Sequence, residues 1–269
     1  MKYCIATNQA VKTTAPVAMG GDFCEMLHKA KEMGYHAIEI HVPDVSVLDV
    51  TKIKATMEET GMFVSTLGTG TIFSKFGLHL CDDNVENQEK LFGMVCRFID
   101  CAAKLSSRVT VGSIKGKILP DQDREKHLEI FGKALKRIDE YAAAKGVIVL
   151  LEATNRYENN VLNTAVKVRK VIEKYNLAHT RALLDVFHMN IEEADCCKAL
   201  ETAKEVLGHI HIADNNRLYP GAGCFAFEPL ARKLHEIGYD GVVSVECLPL
   251  PESDVAAKSA AQFLHALFD

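Results

Sequence analysis

What this sequence lacks narrows its class before any motif is read. No window approaches the run of about 20 apolar residues that a bilayer-spanning helix needs. There is no basic excess: 31 Lys and Arg stand against 36 Asp and Glu, a net charge of −5. That argues against a nucleic-acid partner, because a phosphate-binding surface carries surplus cations. The nine cysteines are odd in number and scattered, with no C-x-x-C pair. The N-terminus, Met1 to Ile5, enters a strand at once and lacks a signal-peptide layout. The thiols therefore read as reduced core residues, and a cytoplasmic location is expected. No linker, low-complexity run or charge block divides the chain, so one domain over residues 1–269 is expected. No glycine-rich phosphate fingerprint follows the first strand, and Gly68-x-Gly70 is too short to serve as one, which weighs against a doubly wound dinucleotide fold.

What is present is ordinary globular material, 48% hydrophobic and 25% charged, ample for a core. Its periodicity alternates between the two-residue repeat of strands and the helical repeat. Strands are expected at Tyr3–Thr7, Ala37–Val42, Phe63–Leu67, Val109–Ile114, Val147–Glu152, Ala182–Asp185, His209–Ala213 and Gly241–Cys247. Between them lie helical patterns such as Asp22–Met33, Val50–Thr60 and Gln122–Lys145. Asp49 is placed to cap a helix start, and Gly34, Gly61 and Gly146 to stop one. Eight rounds of strand then helix, at roughly 30 residues each, predict an α/β fold, a closed (β/α)8 TIM barrel of parallel strands. In the second strand Ile38, Ile40 and Val42 should face helices, leaving Glu39 and His41 inside the barrel.

The chemistry is concentrated where apolar strands stop. Val147–Leu151 is five aliphatic residues in a row, a strand buried on both faces, and it ends in Glu152. Side chains alternate, so Ile148, Leu150 and Glu152 share one face. An ionised carboxylate there is costly unless paired or bound to a metal. The event recurs: Ala182–Leu184 ends in Asp185, His209-Ile210 in His211, and Val242–Val245 in Glu246. Catalytic groups in such barrels sit at the C-terminal ends of strands. Each acid alone reads equally well as half of a buried ion pair, but four separate partners at one barrel mouth are a poor alternative. Three carboxylates and an imidazole suit Mn²⁺, Mg²⁺ or Co²⁺. Asn155, Arg156, Glu158, His188, Asn216 and Arg217 follow in the adjoining loops. His188 and Arg217 stand within reach of a metal-bound substrate. Lys115-Gly116-Lys117 reads as a solvated turn more readily than as a phosphate grip.

The segments Leu151-Glu152-x-x-Asn155-Arg156-Tyr157-Glu158, Leu184-Asp185-x-Phe187-His188-Met189-Asn190 and His209-Ile210-His211-Ile212-Ala213-Asp214-x-Asn216-Arg217 resemble the xylose-isomerase-like sugar isomerase/epimerase barrels. Among these the ketose 3-epimerases acting on D-tagatose and D-allulose are most similar. The resemblance covers almost the whole chain, weakly before residue 80 and strongly from 147 to 250. It implies that Glu152, Asp185, His211 and Glu246 hold a divalent metal, Mn²⁺ first. It also implies that Glu152 and Glu246 double as acid and base, and that Glu158, His188 and Arg217 bind hydroxyls of a small sugar substrate. A homo-oligomer, dimer or tetramer, is implied as well. Two departures are visible: where the family reads Gly-x-Gly-His-x-Asp, this chain has Gly221-Ala222-Gly223-Cys224-Phe225-Ala226, losing a His and an Asp expected near the site and bearing on the substrate more than on the chemistry.

Physical logic runs beside the resemblance. Removing a proton next to a ketone leaves an enediolate, a poor anion in water, which a divalent cation stabilises. Inverting that carbon needs a base on one face and an acid on the other, hence two glutamates. The expectation is C3 epimerisation of a ketose, free or phosphorylated. A metal-dependent dehydratase on the same barrel is the alternative, sharing the metal and one base. A DNA phosphodiesterase would need more histidines and a cationic surface. A non-catalytic barrel should lack a ligand, and none is missing.

Overall fold

In the computed structural model, which describes all 269 residues, the apolar runs become nine parallel strands. They are β1 (Lys2–Asn8), β2 (Met19–Gly20), β3 (Ala37–His41), β4 (Phe63–Gly68), β5 (Arg108–Val111), β6 (Val149–Ala153), β7 (Thr180–Asp185), β8 (Leu207–Ile212) and β9 (Val242–Val245). Each of β1 and β3 to β9 pairs with the next, and β1 also pairs with β9, from Lys2 opposite Val242 to Ile5 opposite Val245. Eight strands thereby close into the expected barrel. The two-residue β2 takes up the same edge of β1 further along, pairing with Thr7 and Asn8.

The helices are α1 (Phe23–Glu32), α2 (Val50–Thr60), α3 (Gly70–Phe76), α4 (Val85–Leu105), α5 (Arg124–Lys145), α6 (Ala165–Lys174), α7 (Val186–Glu192), α8 (Cys196–Ala203), α9 (Phe227–Glu236) and α10 (Ser253–Phe268). The boundaries follow local chemistry. The Asp49 carboxylate accepts from the Lys52 amide at the start of α2, and Gly61 closes it at φ 69°, a conformation glycine adopts without steric cost. Asp22 caps α1 in the same way.

A continuous core of 69 buried residues joins the outer face of the barrel to its helices. Ile38 and Ile40 of β3 with Val42 just after it, Val149 and Leu151 of β6, and Ile210 and Ile212 of β8 all belong to it. By the two-residue period, Glu39, Leu150, Glu152, His209 and His211 then face the barrel interior, where all five are buried.

Three local expectations fail. β5 stops at Val111, and Ser113–Lys115 turns as a short 3-10 helix instead of extending the strand. Lys115 is fully buried, so of the Lys-Gly-Lys stretch only Lys117 is solvated. Two short helices, α3 and α7, occupy what read as loops. The carboxylate of Asp185 caps α7 by accepting from the Phe187 amide at 2.9 Å. The residue that caps this helix is also a candidate metal ligand, so its cap signal is not distinct in the sequence.

Candidate metal centre

Four strand ends converge on one point. Register places Asp185 of β7 directly opposite His211 of β8, and His211 opposite Ser244 of β9. Glu246 is one residue past the end of β9, tied by its amide to the Ile212 carbonyl at 3.2 Å. Glu152 projects from β6 on the other side. One ligand atom from each of Glu152, Asp185, His211 and Glu246 falls within 4.8 Å of the others. Three of them are buried and Glu246 is nearly so.

The donor set fits a divalent cation. Nδ1 of His211 is buried without a hydrogen-bond partner and stands 3.5 Å from Oε2 of Glu246. A buried imidazole nitrogen left bare beside three carboxylates is what a cation would satisfy. Space is reserved for the arrangement too. A Cβ on Gly112 would lie 2.3 Å from Oε2 of Glu152, so the absence of a side chain at 112 lets that carboxylate reach the centre.

Charge is distributed unevenly over the site. Burial raises the Glu152 carboxyl above its ordinary range, and the Glu246 charge adds to this against the opposing pull of His188. Burial acts on Glu246 in the same sense, yet His211 and Arg217 outweigh it and hold that carboxyl at about 2. Burial opposes charge on His211, but Glu39 and Glu246 together carry its pKa well above the usual imidazole value. The two glutamates are thus pushed apart in proton affinity, a common arrangement for an acid and base pair.

The three residues expected to bind substrate lie at the same mouth. Glu158, His188 and Arg217 line a cavity of about 510 Å³ together with Glu152, His211 and Glu246, while Asp185 lies beneath, fully buried. The Asn155 amide donates to Oε1 of Glu158 at 2.9 Å and meets Nδ1 of His188 at 2.8 Å. With Nδ1 accepting, Nε2 of His188 carries the proton and points toward Oε1 of Glu152, 3.6 Å away. Arg217 is more entangled than its loop position implied. Its guanidinium donates to Asp185 at 2.6 Å and also to Glu246, and it lies 4.5 Å over the Phe187 ring. The residue has φ 64°, in the left-handed region that non-glycine residues rarely adopt.

Other loop residues prove structural. Arg156 pairs with Glu192 at the surface, and Asn216 donates to the Ala222 carbonyl. None of Gly221–Ala226 lines the cavity. That loop folds onto Asp214, whose carboxylate accepts from the amides of Gly221 and Phe225, so its departure from the family pattern lies away from the mouth. Sequence reasoning did not find Gly112 or the cavity-lining Asn8, Thr71, Ser74 and Asn159. Asn8 ends β1, Thr71 and Ser74 lie on α3, and Gly112 and Asn159 follow β5 and β6, and none of them stands out in the periodic pattern. It also missed Lys115, whose ammonium is buried without a partner and which burial pulls down to about 8.

Comparison with known proteins gives the family of the chain. The profile of the xylose isomerase-like TIM barrel family matches residues 27–267. The chain is 30% identical over 230 residues to a 3-dehydro-D-guloside 4-epimerase of Escherichia coli, covering 82% of this chain and 86% of the relative. It is also 30% identical to a ketose 3-epimerase of Arthrobacter globiformis, covering 88% and 81%. The crystal structure of a D-psicose 3-epimerase with D-tagatose from Clostridium cellulolyticum superposes with a TM-score of 0.85 over all of both chains at 21% identity, a likeness of fold. This chain belongs to the xylose isomerase-like TIM barrel family.

Proposed function

We propose that the protein is a divalent-metal-dependent isomerase that inverts the carbon next to the carbonyl of a keto-sugar, C3 in a ketose. The observation that carries this reading is the pair Glu152 and Glu246, both metal-ligand candidates and both at one sugar-sized mouth. The relatives supply the reaction class. A ketose 3-epimerase has its carbonyl at C2 and inverts C3, and a 3-dehydro-sugar 4-epimerase has its carbonyl at C3 and inverts C4. Both invert the carbon alpha to a ketone. These named activities favour inversion over the elimination of water that a dehydratase would perform.

A divalent ion held by Glu152, Asp185, His211 and Glu246, Mn²⁺ by preference with Mg²⁺ or Co²⁺ as substitutes, would stabilise the enediolate charge. The remaining chemistry belongs to the chain. Glu246 removes the proton from the carbon on one face of the sugar. Glu152 returns a proton on the opposite face. Reversal exchanges these roles. Nε2–H of His188 and the Arg217 guanidinium orient hydroxyls, and Glu158 accepts from one further out. The cytoplasm is the assigned location, in keeping with nine cysteines that are all free.

Two-base inversion passes the hydrogen through a carboxylate that exchanges with water, whereas hydride transfer does not. Turnover of an accepted ketose with Mn²⁺ in heavy water should place solvent deuterium at the inverted carbon. Inverted product free of deuterium rejects the mechanism.

A further inference from the structure

Below the metal candidates lies a polar cluster to which the proposed reaction gives no role. Glu39 of β3 is fully buried inside the barrel, where an ionised carboxylate is costly without strong partners. Its partners are three imidazoles. Oε1 meets Nε2 of His209 at 2.6 Å, and Oε2 meets Nε2 of His211 at 3.1 Å and Nε2 of His41 at 3.4 Å.

A neutral imidazole has one donor nitrogen and one acceptor. Glu39 can only accept, so in the neutral form that binds a cation Nε2 of His211 carries the hydrogen and Nδ1 offers a bare lone pair. Nδ1 is the atom without a partner beside Glu246. The carboxylate thus selects both the tautomer and the ring orientation that suit a cation at the centre. His209 secures the arrangement from the side, its ring standing at 82° to that of His211 with centroids 5.2 Å apart. Glu39 also reaches the cavity wall through His41, which lines it. The His41 ring occupies space left by Gly68, where a Cβ would lie 2.4 Å from its Nδ1.

Glu39, His209 and His211 also satisfy the spacing of a second ion site, with donor atoms within 4.8 Å. Hydrogen bonding speaks against it. The Nε2 atoms that would bind such an ion already have Glu39 oxygens at hydrogen-bond distance, while the unpartnered atoms are Nδ1 of His209 and of His211.

We propose that Glu39 is the positioning residue of the centre, fixing His211 with Nδ1 toward the ion, with His209 as its brace. The inference rests on the metal assignment above, and its test needs no sugar. Metal-free wild type and Glu39→Gln are titrated with Mn²⁺. Gln keeps the shape but offers a single acceptor oxygen for the imidazoles, so affinity should fall about 10- to 100-fold while circular dichroism stays that of the wild type. Wild type with ¹⁵N-labelled histidine is also loaded with ¹¹³Cd²⁺ and should bind one ion per chain, with coupling at Nδ1 of His211. That measurement decides the question if Glu39→Gln does not fold. A folded Glu39→Gln with undiminished Mn²⁺ affinity overturns the role of Glu39 alone. Coupling at Nε2, or a second ion shared by His209 and His211, makes the cluster a metal site and overturns it too. Wild type that binds neither ion sinks both this inference and the proposed function.

Discussion

Gly112→Ala separates what this fold needs from what its site needs. A Cβ at 112 lies 2.3 Å from Oε2 of Glu152 and 3.5 Å from its Cδ, where ordinary contact begins at 3.4 Å. The oxygen must retreat by about 1 Å. It is the far end of a flexible side chain, so the retreat should cost the folded state little, and the melting temperature of metal-free protein should change little. Function should respond strongly, because a misplacement of about 1 Å at a reacting group can cost about 10²-fold in rate. We expect kcat on an accepted ketose to fall by about that factor and Mn²⁺ affinity to weaken as one ligand withdraws. Gly93→Ala is the control. Gly93 lies in α4 with nothing within 4 Å of its added Cβ, and replacing an interior helical glycine should stabilise by about 0.5–1 kcal/mol with unchanged kinetics. Wild-type turnover and Mn²⁺ affinity in Gly112→Ala would refute the claim that this glycine makes room for Glu152. So would an equal loss in the Gly93 control.

Arg217→Ala should keep Mn²⁺ binding, since removing a cation from the Asp185 and Glu246 carboxylates cannot repel the ion, yet lose turnover or raise KM as an oriented donor disappears; isolation of that variant without affinity for Mn²⁺ would refute this assignment. Asp185→Asn should behave oppositely, losing Mn²⁺ in a direct titration and also the ion pair that seats Arg217. Metal affinity should rise with pH, because bound protons compete with the ion. Glu39 and Glu246 carry the His211 imidazole well above its usual value, and burial raises the Glu152 carboxyl, so both ligands keep their protons to higher pH than free side chains do. Calorimetry at pH 7 in two buffers of different ionisation enthalpy should therefore show proton release on Mn²⁺ binding, and none would contradict the charge assignment. Gly132→Ala should destabilise by about 1–3 kcal/mol in urea, since its Cβ would fall 1.9 Å from Cζ of Tyr175.

The barrel was legible because its signal is dense. Four of its strands end abruptly in a group too polar for its surroundings, as with Leu151 before Glu152 and Leu184 before Asp185. The convergence of four such ends follows from closure alone. What stayed hidden has no period. The cap of α7 was masked because the Asp185 carboxylate serves two partners. Gly112 carries meaning only through a side chain forty residues later in the chain. Lys115 reads as solvated because it opens a Lys-Gly-Lys stretch, and only the turn after Val111 takes it inward. Glu39 and His41 could be assigned to the interior by alternation, but not to one another or to His211.

The seam between β1 and β9 has a consequence for when the protein becomes active during synthesis. Lys2 pairs with Val242 and Ile5 with Val245, so the contact that closes the barrel joins residues nearly the whole sequence apart, an entropically expensive pairing. Glu246 is the next residue after that seam. A nascent chain can hold Glu152, Asp185 and His211 on strands already paired, but the fourth ligand and second acid is placed only when the last strand docks onto the first. Closure and catalytic competence therefore arrive in a single event.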